Sequence, residues 1–114
     1  MAYDRELADR IRELLGGEEG LHEQAMFGGL GFLVRGNMAV AASGQGGLMV
    51  RVNPDEADAL TDDVHVCPMV MRGREMRGWV RVDTEAVGSA DELGRWVARG
   101  VSYARSLPAK ARRA

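Results

Sequence analysis

The stretch MFGGLGFLVRGNMAVAA, Met26 to Ala42, limits the possible folds more than any other part of this chain. It sets four glycines among apolar residues and holds hardly a group able to do chemistry. A phosphate-binding loop, a strand pair or a sticky interface could use such a ribbon. Neither G-x-x-x-x-G-K-[ST] nor a strand–G-x-G-x-x-G–helix unit is present, so the phosphate loop is set aside. Gly36-Asn37 instead parts two β-capable runs, GFLVR and MAVAA. Glycine accepts positive φ, which a primed hairpin turn needs. A two-residue loop there sets Val34 opposite Ala39 and Phe32 opposite Ala41, and leaves both faces of the hairpin apolar. A three-residue loop gathers Leu30, Phe32, Val34, Met38 and Val40 on one face and leaves glycine and alanine outside. The two-residue register is the expected one.

The rest of the chain supplies the partners of this hairpin. Residues 4 to 15 read as an amphipathic helix, with Leu7, Ile11, Leu14 and Leu15 at helical spacing. Asp4 suits its cap, Glu6 and Arg10 stand at i,i+4, and Gly16-Gly17 stops it. The acidic GEEGLHEQ segment reads as a connection. SGQGG is a turn, LMVRV a third strand, and Asn53-Pro54-Asp55-Glu56 the start of a short helix reaching about Leu60. VCPMVM and MRGWVRV form a second hairpin, with Pro68 pushing the first of them to a sheet edge. Ser89 and Glu92 make a capping box, after which Leu93, Trp96, Val97, Gly100, Val101 and Ala104 trace one helical stripe. Gly100 costs about 1 kcal/mol relative to alanine there, and close approach to a strand is the expected compensation. The order α-βββ-α-ββ-α predicts a small two-layer α+β domain with an antiparallel sheet.

Composition narrows the function classes. A chain of 114 residues holds one domain, and 46% hydrophobic with 28% charged residues is an ordinary globular balance. No apolar run approaches membrane-spanning length, the N-terminus is no signal peptide, and a cytoplasmic location is the default expectation. One cysteine and two scattered histidines make no zinc set. A net charge of −2 argues against a dedicated nucleic-acid binder, although all but one of the basic residues are arginine. Residues 1–108 form the expected domain, and 109–114 a short, basic, disordered tail.

Few residues invite a chemical reading. His22 and His65 lack partners at ligand spacing, the paired acids lie in loops, and Cys67 among Val66, Pro68 and Met69 reads as a buried thiol. No acid, base and nucleophile stand together, so no catalytic residue, metal or cofactor is expected. The seven methionines are expected to fill core, with an adaptable interface as the other use. Arg72, Arg74, Arg77, Trp79 and Arg81 make the best binding candidate. Arg77, Trp79 and Arg81 share one strand face and could stack a base, hold an anion or anchor a protein. The plainer use has Trp79 covering small hairpin residues while the arginine stems snorkel.

Together these pieces resemble the N-terminal domain of the TfoX/Sxy proteins, over about residues 1 to 108. Three motifs carry the resemblance: Met26-Phe27-Gly28-Gly29, Gly36-Asn37-Met38, and the Gly73…Met76…Gly78-Trp79-Val80 pattern. It implies a two-layer α+β domain similar to type III secretion chaperones, with these motif residues in structural roles and no catalytic residues. Full-length members regulate natural competence beside a cyclic-AMP receptor-type transcription factor and carry a second, C-terminal domain, which this chain ends before. Where the family has P-M-D-F-T-G-R-P-M-K-G-W, this chain has Val70, Met71, Arg72, Glu75 and Arg77 at the differing positions; losing an acid and an aromatic while gaining Arg72 alters the hairpin surface. The expectation is a non-enzymatic regulatory or adaptor domain, working through protein contacts with a partner such as a transcription regulator, and as a homodimer. The alternative is binding of a small ligand or single-stranded nucleic acid through Arg77, Trp79 and Arg81.

Overall fold

A computed structural model describes residues 3–26, 28–44, 46–62, 65–71 and 73–108. Helix α1 (Arg5–Leu14) is followed by strands β1 (Leu21–Met26), β2 (Gly29–Val34), β3 (Asn37–Ala42) and β4 (Leu48–Arg51). The short helix α2 (Ala57–Leu60) leads to β5 (Val66–Met71) and β6 (Arg74–Val82), and after a 3-10 turn helix α3 (Ala90–Ser106) closes the domain. The strands form one antiparallel sheet of six in the order β1-β2-β3-β4-β6-β5. The α+β class and the antiparallel sheet are as expected, and Pro68 lies on the edge strand β5, where its missing N–H costs no ladder bond. No helix among the described residues is long and apolar enough to cross a membrane.

The sequence order lacked one strand. LHEQAM, whose first four residues read as part of the GEEGLHEQ connection, is β1 at the other sheet edge, and His22 sits within it. An edge strand buries only part of its surface, so Glu23 and Gln24 disguise it. Glu23 ties β1 to α1: Arg12 Nε donates to Glu23 Oε2 at 2.7 Å and Nη2 to Oε1 at 3.0 Å. That bidentate bond holds the Glu23 carboxyl below the usual range and raises the Arg12 guanidinium.

The β2–β3 register also differs from the expected one. The loop is Arg35-Gly36, both at positive φ (54° and 83°), so Val34 pairs with Asn37 and Leu33 with Met38. A bulge at Ala39 then shifts the pairing, and Phe32 faces Val40 while Gly31 faces Ala41. Beyond the bulge the pairing is that of the longer-loop alternative. The bulge breaks strand alternation: Ala39 and Val40 both join the helix-side core, whereas Met38 and Ala41 look away from it. Asn37 is therefore a strand residue. It is buried, and its Nδ2 donates to the Pro108 carbonyl at 2.9 Å, which pins the chain after α3 to the hairpin.

Helices α1 and α3 cover one sheet face. Leu7, Ile11, Leu93, Val97 and Val101 pack there on Phe32, Val34, Val40, Leu48, Val50, Val80 and Val82. Gly100 comes so close to the bulge that a Cβ would fall within contact distance of the Ala39 carbonyl oxygen, as the stripe predicted. The caps are as read: Asp4 Oδ1 accepts from Glu6 and Leu7 N–H at 3.0 and 3.2 Å, and Ser89 Oγ from Glu92 N–H at 3.1 Å. Arg10 does not take Glu6; its Nη2 donates to the Gly88 carbonyl at 3.2 Å, at the approach to α3.

Candidate functional site

The sheet face turned away from α1 and α3 has a different composition. Ala41, Met49 and Met69 are buried in it, and Met38, Met76 and Trp79 pack half-exposed over them. These residues come from β3, β4, β5 and β6, so only the folded sheet assembles them. Among the described residues neither long helix contributes to this cluster. Its cover is instead side chains with three or more rotatable bonds, plus one indole. Beside Trp79 an open cleft of about 230 Å³ runs between Pro54, Ala57, Glu75, Met76 and Gly78.

Only part of the expected arginine–tryptophan patch lies among the described residues. Arg72 and the side chain of Arg77 lie outside the described residues, and Arg74 is exposed at the start of β6. Trp79 packs against the cluster of Ala41, Met49 and Met69. Arg81 is not a free cation: its Nε donates to the Gly46 carbonyl at 3.1 Å and its Nη1 pairs with Asp83 Oδ1 at 3.1 Å. It thereby straps the 43–47 turn to β6, where a Cβ on Gly47 would meet the Val82 carbonyl oxygen at 2.6 Å.

The family motifs occupy turns and this same face. Gly28, Gly36 and Gly73 take positive φ (77°, 83° and 78°), each the second residue of a two-residue hairpin loop. A Cβ on Gly29 would collide with the Ala42 carbonyl oxygen, so that glycine permits close approach to the end of β3. Gly78, at φ 84°, lies where the β5–β6 pairing changes register. Met38 and Met76 belong to the cluster, while Phe27 and the side chain of Met26 lie outside the described residues.

Two further groupings escaped the sequence reading. His65 Nδ1 lies 3.6 Å from Asp83 Oδ2 and 4.0 Å from Glu85 Oε1, neighbours that sequence distance concealed. On α3, Arg95 and Arg99 stand at i,i+4 outside the apolar stripe; that spacing was visible but went unread. Cys67 is partly exposed rather than buried, since its strand is an edge. Among the described residues no group of three or more His, Cys, Asp or Glu could hold a metal ion.

A one-sided α+β sheet domain, with helices on one face and methionines with a tryptophan on the other, is the class this geometry defines. The TfoX N-terminal domain model matches residues 13–104, and the chain belongs to that family. It is not a known enzyme family. No curated protein and no solved structure matches the chain.

Proposed function

We propose that this domain is a non-enzymatic regulatory or adaptor module that works through protein contacts on its methionine–tryptophan face, self-association included. One observation carries the reading. The two long helices serve a single face of the sheet, and among the described residues the hydrophobic cluster on the other is covered by Met38, Met76 and Trp79, which are themselves only partly buried. Methionine repacks at low cost against differently shaped partners, and tryptophan is enriched among the residues that dominate interface energy. For a cytoplasmic role beside a transcription regulator, with competence as one setting, the support is the family resemblance alone. The engagement of Arg81 weighs against the nucleic-acid alternative, because that side chain is already bound within the fold.

The test is capture of tagged protein from a native lysate with and without nuclease, for the wild type and for Met38→Gln/Met76→Gln. The reading expects a protein that survives nuclease and is lost with the double variant. Recovery of nuclease-sensitive material alone would replace it with nucleic-acid binding.

A further inference from the structure

Among the described residues, the arginines divide by what holds them. Arg12, Arg81 and Arg105 pair with the carboxylates of Glu23, Asp83 and Glu18. Arg51 and Arg99 are held by rings instead: the guanidinium carbon of Arg51 lies 5.8 Å from the Tyr103 centroid, and that of Arg99 lies 5.5 Å from the Trp96 centroid. A cation–π contact with a ring leaves a guanidinium with N–H donors to offer an oxyanion. Arg95 precedes Arg99 by one turn and shares its side of α3. Among the described residues neither of the two makes an ion pair or a hydrogen bond.

Between this side of α3 and the segment Val52–Glu56 runs an open groove of about 580 Å³. Arg95, Arg99, Ser102 and Tyr103 line it from the helix, Asn53 and Glu56 from the other wall. We propose that this groove binds a small phosphate ester of about mononucleotide size. Its volume falls within the roughly 300–1,000 Å³ usual for small-molecule sites. Two adjacent guanidinium forks match the oxygens of a phosphate or diphosphate, and the Ser102 hydroxyl adds a donor on the same side. Glu56, the one carboxylate among the described lining residues, repels a bare anion but accepts from a hydroxyl or amino group. The wall it occupies therefore suits the uncharged part of an ester, and Asn53 adds an amide there. The groove lies on the helix side of the domain and does not depend on the methionine–tryptophan face.

Calorimetric titration with ADP and with inorganic pyrophosphate at low salt tests this on three proteins: the wild type, Arg95→Gln/Arg99→Gln, and a charge-matched control, Arg5→Gln/Arg74→Gln. All four arginines are exposed, and circular dichroism checks that each variant keeps its helices. ADP saturates the wild type and the control alike, the Arg95/Arg99 variant binds about tenfold or more weakly, and pyrophosphate binds less tightly than ADP. The proposal is overturned by no saturable ADP binding to the wild type, or by unchanged affinity in the Arg95/Arg99 variant. Equal weakening in the control would assign the binding to diffuse charge. Pyrophosphate as tight as ADP would overturn the ester.

Discussion

The two faces of this sheet carry different kinds of apolar material, a large cluster toward the helices and a small one away from them. Toward the helices the strands present Phe32, Val34, Val40, Val50, Val80 and Val82, all fully buried. Branched side chains with few rotamers give that face one dense arrangement. On the other face Met69 is almost fully buried and Met49 slightly less so, yet what packs over them is Met38, Met76 and Trp79, not a long helix. Under the proposed function, a flexible cover of this kind would shield the sheet when nothing is bound and repack when a partner is. The difference teaches that buried clusters are not all alike: one is covered by helices and the other by long, flexible side chains and an indole.

Substitutions can break this contrast, and the largest effect belongs to the helix side. Phe32→Ala leaves a cavity beneath α1 and α3 and is expected to cost about 3–5 kcal/mol in denaturant unfolding, with little change in any partner binding. Gly100→Ala comes next. The new methyl meets the Ala39 carbonyl, and relief requires the helix to shift from the bulge; about 1–3 kcal/mol is lost although alanine is the better helix former. A gain in stability from that substitution would show that α3 does not sit tightly on β3. Met49→Leu, on the opposite face, nearly conserves volume and is expected to cost less than about 1.5 kcal/mol while changing self-association more than the melting point.

The smallest effect lies at the sheet edge. Glu23, whose folded-state pKa is depressed by the Arg12 hydrogen bond, stabilises the fold above its unfolded pKa of about 4.3 and ceases to do so as pH falls through the folded value. Glu23→Gln is therefore expected to melt slightly below the wild type at pH 7, with the gap closing on acidification below about pH 4. Thermal melts across that range measure it; a gap that widens in acid would contradict the ion pair.

Local signals were legible in the sequence where one stretch of chain decides the matter. The helices of Leu7 and Leu93, the caps at Asp4 and Ser89, and the close approach at Gly100 all follow from short-range spacing. Strand β1 was hidden because an edge strand with Glu23 and Gln24 needs little apolar pattern. The hairpin register failed because a non-glycine, Arg35, takes positive φ and Ala39 bulges, neither of which the local residue pattern announces. The site was harder still. Arg81 looked free until the fold brought Gly46 to it across 35 residues, and the methionine face draws on four separate strands.

Sedimentation equilibrium of the wild type over a concentration series, beside Met38→Gln/Met76→Gln, tests the division of labour between the two faces most directly. The account predicts a wild-type mass that rises with concentration toward a dimer, and a variant that stays monomeric while melting within a few degrees of the wild type. A monomer mass independent of concentration in the wild type, or a variant that dimerises equally well, would contradict it.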